Sequence, residues 1–563
     1  MDYQNSYDRW CTCVSDEALS VELKQMKGDA VLIEDAFYKT LEFGTAGLRG
    51  VLGAGTNRMN IHTVGQATQG IADFIKEELA AGSSLPPRVA ICYDCRINSE
   101  LFAHTAAGVL AANGIKAFVF PRLEPTPLLS FATRELKCGI GINVTASHNP
   151  AKYNGYKVYG PDGCQIASDI ADAITQAISK VDVFDDVKFG DFVHFLNEGL
   201  IEYVPESIID DFIAACLKQD VAPASSKQDP LKLVYSPLNG TGLETVGRIL
   251  EEVNITDIHV VPEQAKPDGN FPTCPSPNPE SREALELGIR LCEEVRPDLL
   301  LATDPDTDRV GVAVEDKGDY QLISGNEMGV LLLDYLCRMR SKLGSMPENP
   351  VAVTTIVSTS LADQVAEHYG VEMRRCLTGF KYIGGIIAEL EAEGHPERFV
   401  FGFEESYGYL AGTHARDKDA VVTSMLICQM ARYYRSIGKT LYIAMQDIYA
   451  EYGYHRNKTL SFTFEGVSGS QKMQELMASF RESAPSTIAG LAVEGVVDYQ
   501  AGVNGLPSAN VIEFDLAGGN KAIVRPSGTE PKIKIYVFSV GTDAEEADKL
   551  NQQIGAAMSE YMK

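Results

Sequence analysis

Apolar positions along this chain alternate between two rhythms. Short solid apolar runs read as strands, and longer stretches with apolar residues at helical spacing read as helices. After a helix-like segment over residues 15–40, residues 43–50 hold three glycines in seven positions, a density expected to preclude a regular helix or strand. An amphipathic helix over 63–81 follows. Strands over 89–93, 117–120 and 139–144 then alternate with helices over 100–113, 127–134 and 170–181. Acids and aromatics near 183–205 read as a boundary. The alternation restarts with strands at 231–235, 257–261 and 298–302, helices at 242–253 and 280–295, and a Pro-rich loop over 262–279. It restarts again with strands at 351–357, 372–375 and 399–403 among helices at 326–343, 361–369, 382–393 and 420–437. Beyond a helical stretch around 440–452 the texture changes: strands at 459–464, 511–515, 521–524 and 532–540, helices at 470–482 and 543–561.

The pattern predicts an α/β protein of three successive α/β units, 1–205, 206–324 and 325–453, followed by a smaller C-terminal α+β unit, 454–563. No strong repeat is visible at the level of residues. The length of 563 residues agrees with several domains. A formal net charge of -28 argues against nucleic acid and against an anionic membrane surface as partners, and makes basic residues inside motifs more informative. The first residues lack a basic start with an apolar core, and no apolar run approaches the ~18 residues that span a bilayer, so a cytoplasmic protein is expected. Twelve scattered cysteines fit reduced thiols. Cys92 and Cys95 have redox-motif spacing, but a polar loop anchor at a strand end is the stronger reading.

Four stretches carry chemistry. Asp304-Pro305-Asp306-Thr307-Asp308-Arg309 follows an apolar strand and sets three carboxylates at alternate positions, suited to a hard cation such as Mg²⁺. An EF-hand fits poorly, because Arg309 stands where a sharp turn wants glycine, although Glu315 falls at the twelfth position. A dehalogenase-like site with Asp304 as nucleophile fails at Asp308, and an acidic loop capping Arg309 stays open. Ser147, in Thr145-Ala146-Ser147-His148-Asn149-Pro150, lies at a strand's C-terminal end, where ligand sites gather in α/β sheets. With His148 beside it and Lys157 ten residues on, its hydroxyl suits phosphoryl better than acyl transfer; taken alone the hexapeptide reads first as a helix or turn cap. Glu404 and Ser406 in the run 402–408 can accept and donate hydrogen bonds to sugar hydroxyls, or form a solvated loop. Thr378, Gly379 and Lys381, then Arg416 and Lys418, add cations and turn residues nearby, with ordinary surface charge as the alternative. Finally Arg525, Ser527, Gly528, Thr529 and Lys532 make an anion nest or a polar turn between two strands. Arg49, in the glycine run 43–50, is a further fixed cation.

Together these residues resemble the α-D-phosphohexomutase family: TASHNP with YNGYK is similar to its phosphoserine loop, DPDTDR to its metal loop, FEES to its sugar loop and RPSGTEPK to its phosphate loop. Their order and spacing match over nearly the whole chain, and GFEESYGY and TGFKYIGG are most similar to the phosphoglucomutase branch, including its long forms that cover phosphopentomutases. The resemblance implies related α/β domains and a closing C-terminal domain around a cleft. It implies a phosphorylated Ser147, reversible conversion of glucose 1-phosphate to glucose 6-phosphate through glucose 1,6-bisphosphate, and mannose or pentose phosphates as the alternative substrates. It places Mg²⁺ on Ser147, Asp304, Asp306 and Asp308, with His148, Lys157 and Arg49 assisting catalysis. Arg309, Glu404, Ser406, Lys381 and the 525–532 residues would bind substrate, with Lys157 and Lys381 as candidate bases. Arg96 would order the Ser147 loop or form a structural salt bridge. A Mg²⁺-dependent phosphatase and a non-catalytic phosphosugar-binding protein are the rival readings.

Overall fold

A computed structural model describes residues 3–44, 47–464, 466–527 and 532–562. Three of its sheets share one four-strand plan. In the first, Lys116–Val119, Arg88–Tyr93 and Ile140–Val144 run parallel in that spatial order, and Tyr153–Tyr159 returns antiparallel. In the second, the same places are taken by Asp257–Val260, Lys232–Ser236, Leu299–Thr303 and Val310–Asp316. In the third, they are Glu372–Cys376, Val351–Thr355, Phe399–Glu404 and Gly408–Leu410. The repeat invisible in the residues is therefore plain in the topology.

Parallel strands need helical crossovers, which cover the sheet faces. That explains the solid apolar runs: every residue of Ile140–Val144, Leu299–Thr303 and Phe399–Glu404 is buried. The plan also has a functional consequence. Residues 145–152, 304–309 and 405–407 each form the turn from the third strand to the antiparallel fourth, at the carboxyl end of the central parallel strands. Three of the sequence motifs thus occupy one equivalent position in three domains.

Two expectations need correction. Residues 43–50 do contain a strand: Gly47–Val51 pairs antiparallel with Tyr153–Tyr159 at the sheet edge. The glycines permit it through close approach, since a Cβ on Gly47 would lie 1.9 Å from the Tyr156 carbonyl oxygen, at φ 139°. Gly47→Ala is accordingly expected to cost roughly 2 kcal/mol or more, read as a lower denaturant midpoint at unchanged slope. The stretch 183–205 is no mere boundary either. It holds the helix Phe192–Glu198 and the strand Ile201–Tyr203, which extends the first sheet beside Lys116–Val119.

The helix-like segment 15–40 divides into Glu17–Met26 and Ala30–Phe37, because Asp29 caps the second by accepting from the Val31 and Leu32 amides, each at 3.1 Å. With Tyr3–Cys13, these helices bury Trp10 and Phe37. The C-terminal domain is an antiparallel sheet in the order Tyr454–Thr463, Lys532–Gly541, Asn520–Pro526, Ile512–Leu516, Leu491–Asp498, Thr487–Ile488, with the helices Gly466–Glu482 and Ala544–Glu560. Its last two strands went unread in sequence. Leu491–Asp498 buries no residue fully and carries Gly495 at a register shift. Among the described residues no helix is long and apolar enough to cross a membrane.

Candidate active site

The turn at 304–309 is tight, with Thr307 at φ 53°. It gathers Asp304, Asp306 and Asp308 so that one oxygen from each lies within 4.8 Å of the others, all three side chains buried. Asp304 Oδ1 accepts from the amides of Asp308 and Arg309, each at 3.0 Å. Its Oδ2 accepts from the Ser147 hydroxyl at 2.9 Å. Both oxygens of Asp304 are therefore engaged in hydrogen bonds. The EF-hand reading also ends here, since Glu315 sits in a strand and accepts from the Gly318 amide at 2.6 Å.

Ser147 is presented by the equivalent turn of the first domain, in a left-handed conformation at φ 51°. Thr145 Oγ1 fixes that turn by accepting from the Ser147 amide at 2.8 Å. His148 Nδ1 is 3.1 Å from Ser147 Oγ. Burial and then the Arg309 charge push the His148 ring well below its ordinary pKa, with Arg49 and Lys157 adding to the effect, so the imidazole is neutral. Arg49, on its edge strand, donates to Asn149 Oδ1 at 3.3 Å.

The carboxylates meet cations from two domains. Lys157 Nζ donates to Asp306 Oδ2 at 3.0 Å and stands 3.9 Å from Asp308 Oδ2; Lys418 Nζ stands 3.2 Å from that same oxygen. Burial and the neighbouring carboxylates raise Asp304 and Asp308, whereas burial on Asp306 is outweighed by Lys157, which pulls it below the usual range. Among the described residues, Asp306 Oδ1 and both oxygens of Asp308 have no hydrogen-bond donor although they are buried. Unsatisfied hard oxygens converging beside a serine hydroxyl fit a divalent cation.

Next to this cluster opens a cavity of about 600 Å³. His148 comes to it from the first domain, Glu280 and Arg309 from the second, Thr378, Gly379, Glu404, Ser406 and Lys418 from the third, Arg525, Lys534 and Tyr536 from the C-terminal domain. The loops are tied to one another. Glu404 Oε1 accepts from the Gly379 amide at 2.8 Å, and Arg309 Nη1 donates to the Ser406 carbonyl at 2.7 Å and to Glu280 Oε1 at 3.3 Å. Burial, then Glu404, pushes the Glu405 carboxyl up to about 7.

Several candidates stand elsewhere. Lys381 is outside the cavity lining, with its ammonium 5.4 Å over the Tyr382 ring. Arg416 is turned away: its buried guanidinium pairs with Glu391 at 2.8 Å and donates to the Thr413 carbonyl. Ser527 and Lys532 close a hairpin through a 2.7 Å backbone bond, while Gly528 and Thr529 lie outside the described residues. Sequence reading passed over Glu280, Ser461 and Lys534 in the lining. Lys534 had a signal: in Lys532–Gly541 it alternates with Ile533 and Ile535, both buried, which puts it on the opposite face with Tyr536.

Comparison with known proteins accords with this geometry. Four stretches match the phosphoglucomutase/phosphomannomutase family: its alpha/beta/alpha domains I, II and III over residues 40–183, 210–318 and 324–452, and its C-terminal domain over 485–556. A protein named phosphoglucomutase from Staphylococcus haemolyticus is 37% identical over 522 residues, 90% of this chain and 91% of that one. One of the same name from Staphylococcus epidermidis is 36% identical over 544 residues, 93% of this chain and 95% of that one. The open-form crystal structure of the Paramecium phosphoprotein parafusin, also titled a phosphoglucomutase, superposes with a TM-score of 0.70 at 18% identity, covering 93% of this chain and 95% of that one.

Proposed function

The chain belongs to the phosphoglucomutase/phosphomannomutase family, and from that premise we propose that Ser147 carries the phosphoryl group by which it interconverts α-D-glucose 1-phosphate and glucose 6-phosphate. It is a phosphohexomutase, an intramolecular phosphotransferase. The observation that carries the reading is the 2.9 Å bond from Ser147 Oγ to Asp304, inside a buried carboxylate triad beside a cavity lined from four domains.

Phosphoryl transfer is mostly positioning and charge neutralisation. Starting from phosphorylated Ser147, the Oγ–P bond breaks as the free sugar hydroxyl bonds to phosphorus, and the proton that hydroxyl loses is made up at Ser147 Oγ, giving glucose 1,6-bisphosphate and the free serine. After the bisphosphate turns over in the cavity, its other phosphate returns to Ser147 Oγ and the sugar oxygen regains a proton. Asp304, Asp306 and Asp308, with an oxygen of the phosphoserine, would hold Mg²⁺, which offsets charge developing on the transferring group. Neutral His148 supplies a hydrogen bond at Oγ, and Arg49 holds the loop at Asn149. Of the two lysines considered as base, neither lines the cavity: Lys157 stands as a cation against Asp306 and Asp308, where it offsets charge, and Lys381 lies over the Tyr382 ring. Glu404 and Ser406 take sugar hydroxyls. Arg525, Ser527, Lys532 and Lys534 grip the phosphate that is not reacting.

Purified protein assayed on glucose 1-phosphate, mannose 1-phosphate, ribose 1-phosphate and glucosamine 1-phosphate should show its highest kcat/KM on glucose 1-phosphate, with a trace of glucose 1,6-bisphosphate stimulating turnover. A preference for the pentose or mannose phosphate would overturn the glucose assignment.

A further inference from the structure

Below the Ser147 turn lies a charged side chain that does not reach the cavity. Arg96 is buried, and its guanidinium is surrounded by main-chain carbonyls of one loop. Nη1 donates to Pro150 O at 3.1 Å and Tyr153 O at 3.0 Å; Nη2 donates to Ser147 O at 2.5 Å and to Asn149 O. Nε faces Asp94 Oδ2 at 3.4 Å. An arginine has five N–H bonds in a fixed planar fork. Here the four on Nη1 and Nη2 go to carbonyls of residues 147–153, while Nε makes no hydrogen bond and meets Asp94 only as an ion pair. Asp94 supplies the counter-charge and is held in turn: its Oδ1 accepts from the Arg96 amide at 2.9 Å and from Ser99 Oγ at 2.7 Å.

The remaining carbonyl of the turn is claimed from the second domain. Ser276 Oγ donates to His148 O at 3.4 Å. The same Pro-rich loop lays Phe271 against Arg96, with the guanidinium carbon 4.9 Å from the ring centroid. It can come so close because Gly269 has no side chain: a Cβ there would meet Ile97 N at 2.5 Å. So every carbonyl from Ser147 to Pro150 is taken by a side chain, three by Arg96 and one by Ser276.

We propose that Arg96 is the positioning residue of the phosphoryl carrier, holding Ser147 in its left-handed turn against Asp304, and that Phe271 and Ser276 of the second domain complete the clamp. The carrier and the triad sit on different domains, so their 2.9 Å contact depends on how those domains are registered. The Arg96–Phe271 stack and the Ser276 bond fix that register at the loop itself. A lysine at 96 has three donors from one nitrogen and cannot span four carbonyls, nor can it stack as a plane.

The inference rests on the phosphoserine reading, and its test separates the two. Dephosphorylated enzyme is mixed with glucose 1,6-bisphosphate and phosphorylation of Ser147 is followed by intact mass, alongside steady-state kcat and KM. Arg96→Lys should slow both transfer and kcat by about 10²-fold, the usual cost of an ångström's misplacement, with KM changed less than about threefold. Phe271→Leu and Ser276→Ala should slow transfer about three- to tenfold with the same split, and they decide the matter if Arg96→Lys does not fold. A merely structural role would lower thermal stability and leave transfer by the folded protein unchanged. Transfer rates equal to wild type in the folded variants overturn the proposal. Failure of wild-type Ser147 to accept phosphate overturns the phosphoserine reading instead.

Discussion

Ser147→Ala is expected to lower kcat by about 10⁴-fold or more, the scale seen when a covalent carrier is removed from an enzyme. The reason is local. The other loops recognise and neutralise; among the described residues the other hydroxyl hydrogen-bonded to the triad, Thr126 on Asp306 at 3.1 Å, is buried, accepts from Asn143 and does not line the cavity. The variant should fold, because the change removes one oxygen from a site that Arg96 and Thr145 hold through the backbone. Binding of glucose 6-phosphate should persist, since Glu404, Arg525 and Lys534 are untouched. The check pairs the coupled assay with thermal unfolding and isothermal titration. Activity within tenfold of wild type would remove the carrier from the account.

The second large effect concerns the triad. Chelation of divalent metal should reduce turnover by at least about 10²-fold, and Mg²⁺ should restore it. The same ion should raise Tm, because it binds only where three buried carboxylates are already assembled; at 100 times its Kd the gain is about 2.7 kcal/mol. Asp308→Asn should abolish both responses, because Asp308 supplies two of the triad's three buried oxygens that have no donor among the described residues. Lys418, now paired with Asp308 and Asp417, keeps the second partner and stays buried. Full activity in chelator would contradict the metal assignment.

Much of this architecture was legible because buried parallel strands write themselves as solid apolar runs, as in Leu299–Thr303. What stayed hidden depends on partners far along the chain. Gly47–Val51 is a strand only because Tyr153–Tyr159 lies beside it, and Ile201–Tyr203 only because Lys116–Val119 does. The convergence of Asp304, Asp306 and Asp308 was readable from spacing alone, since a tight turn brings alternate carboxylates together. Cations were less readable, because a long side chain takes its direction from tertiary neighbours. Arg416 follows Glu391 and Lys381 follows Tyr382, whereas Lys418, two residues from Arg416, joins the triad. Glu280 stood unnoticed at the start of an expected helix until Arg309 was seen to reach it.

The most direct test of the carrier is a labelled-phosphate chase. Enzyme charged with radiolabelled glucose 1,6-bisphosphate, then freed of sugar, should retain label on Ser147 that survives acid and hydroxylamine, and should surrender it to unlabelled glucose 1-phosphate at a rate no slower than kcat. Label on Asp304 as a hydroxylamine-labile acyl phosphate, or stable label on Ser147 that glucose 1-phosphate cannot discharge, would contradict the account.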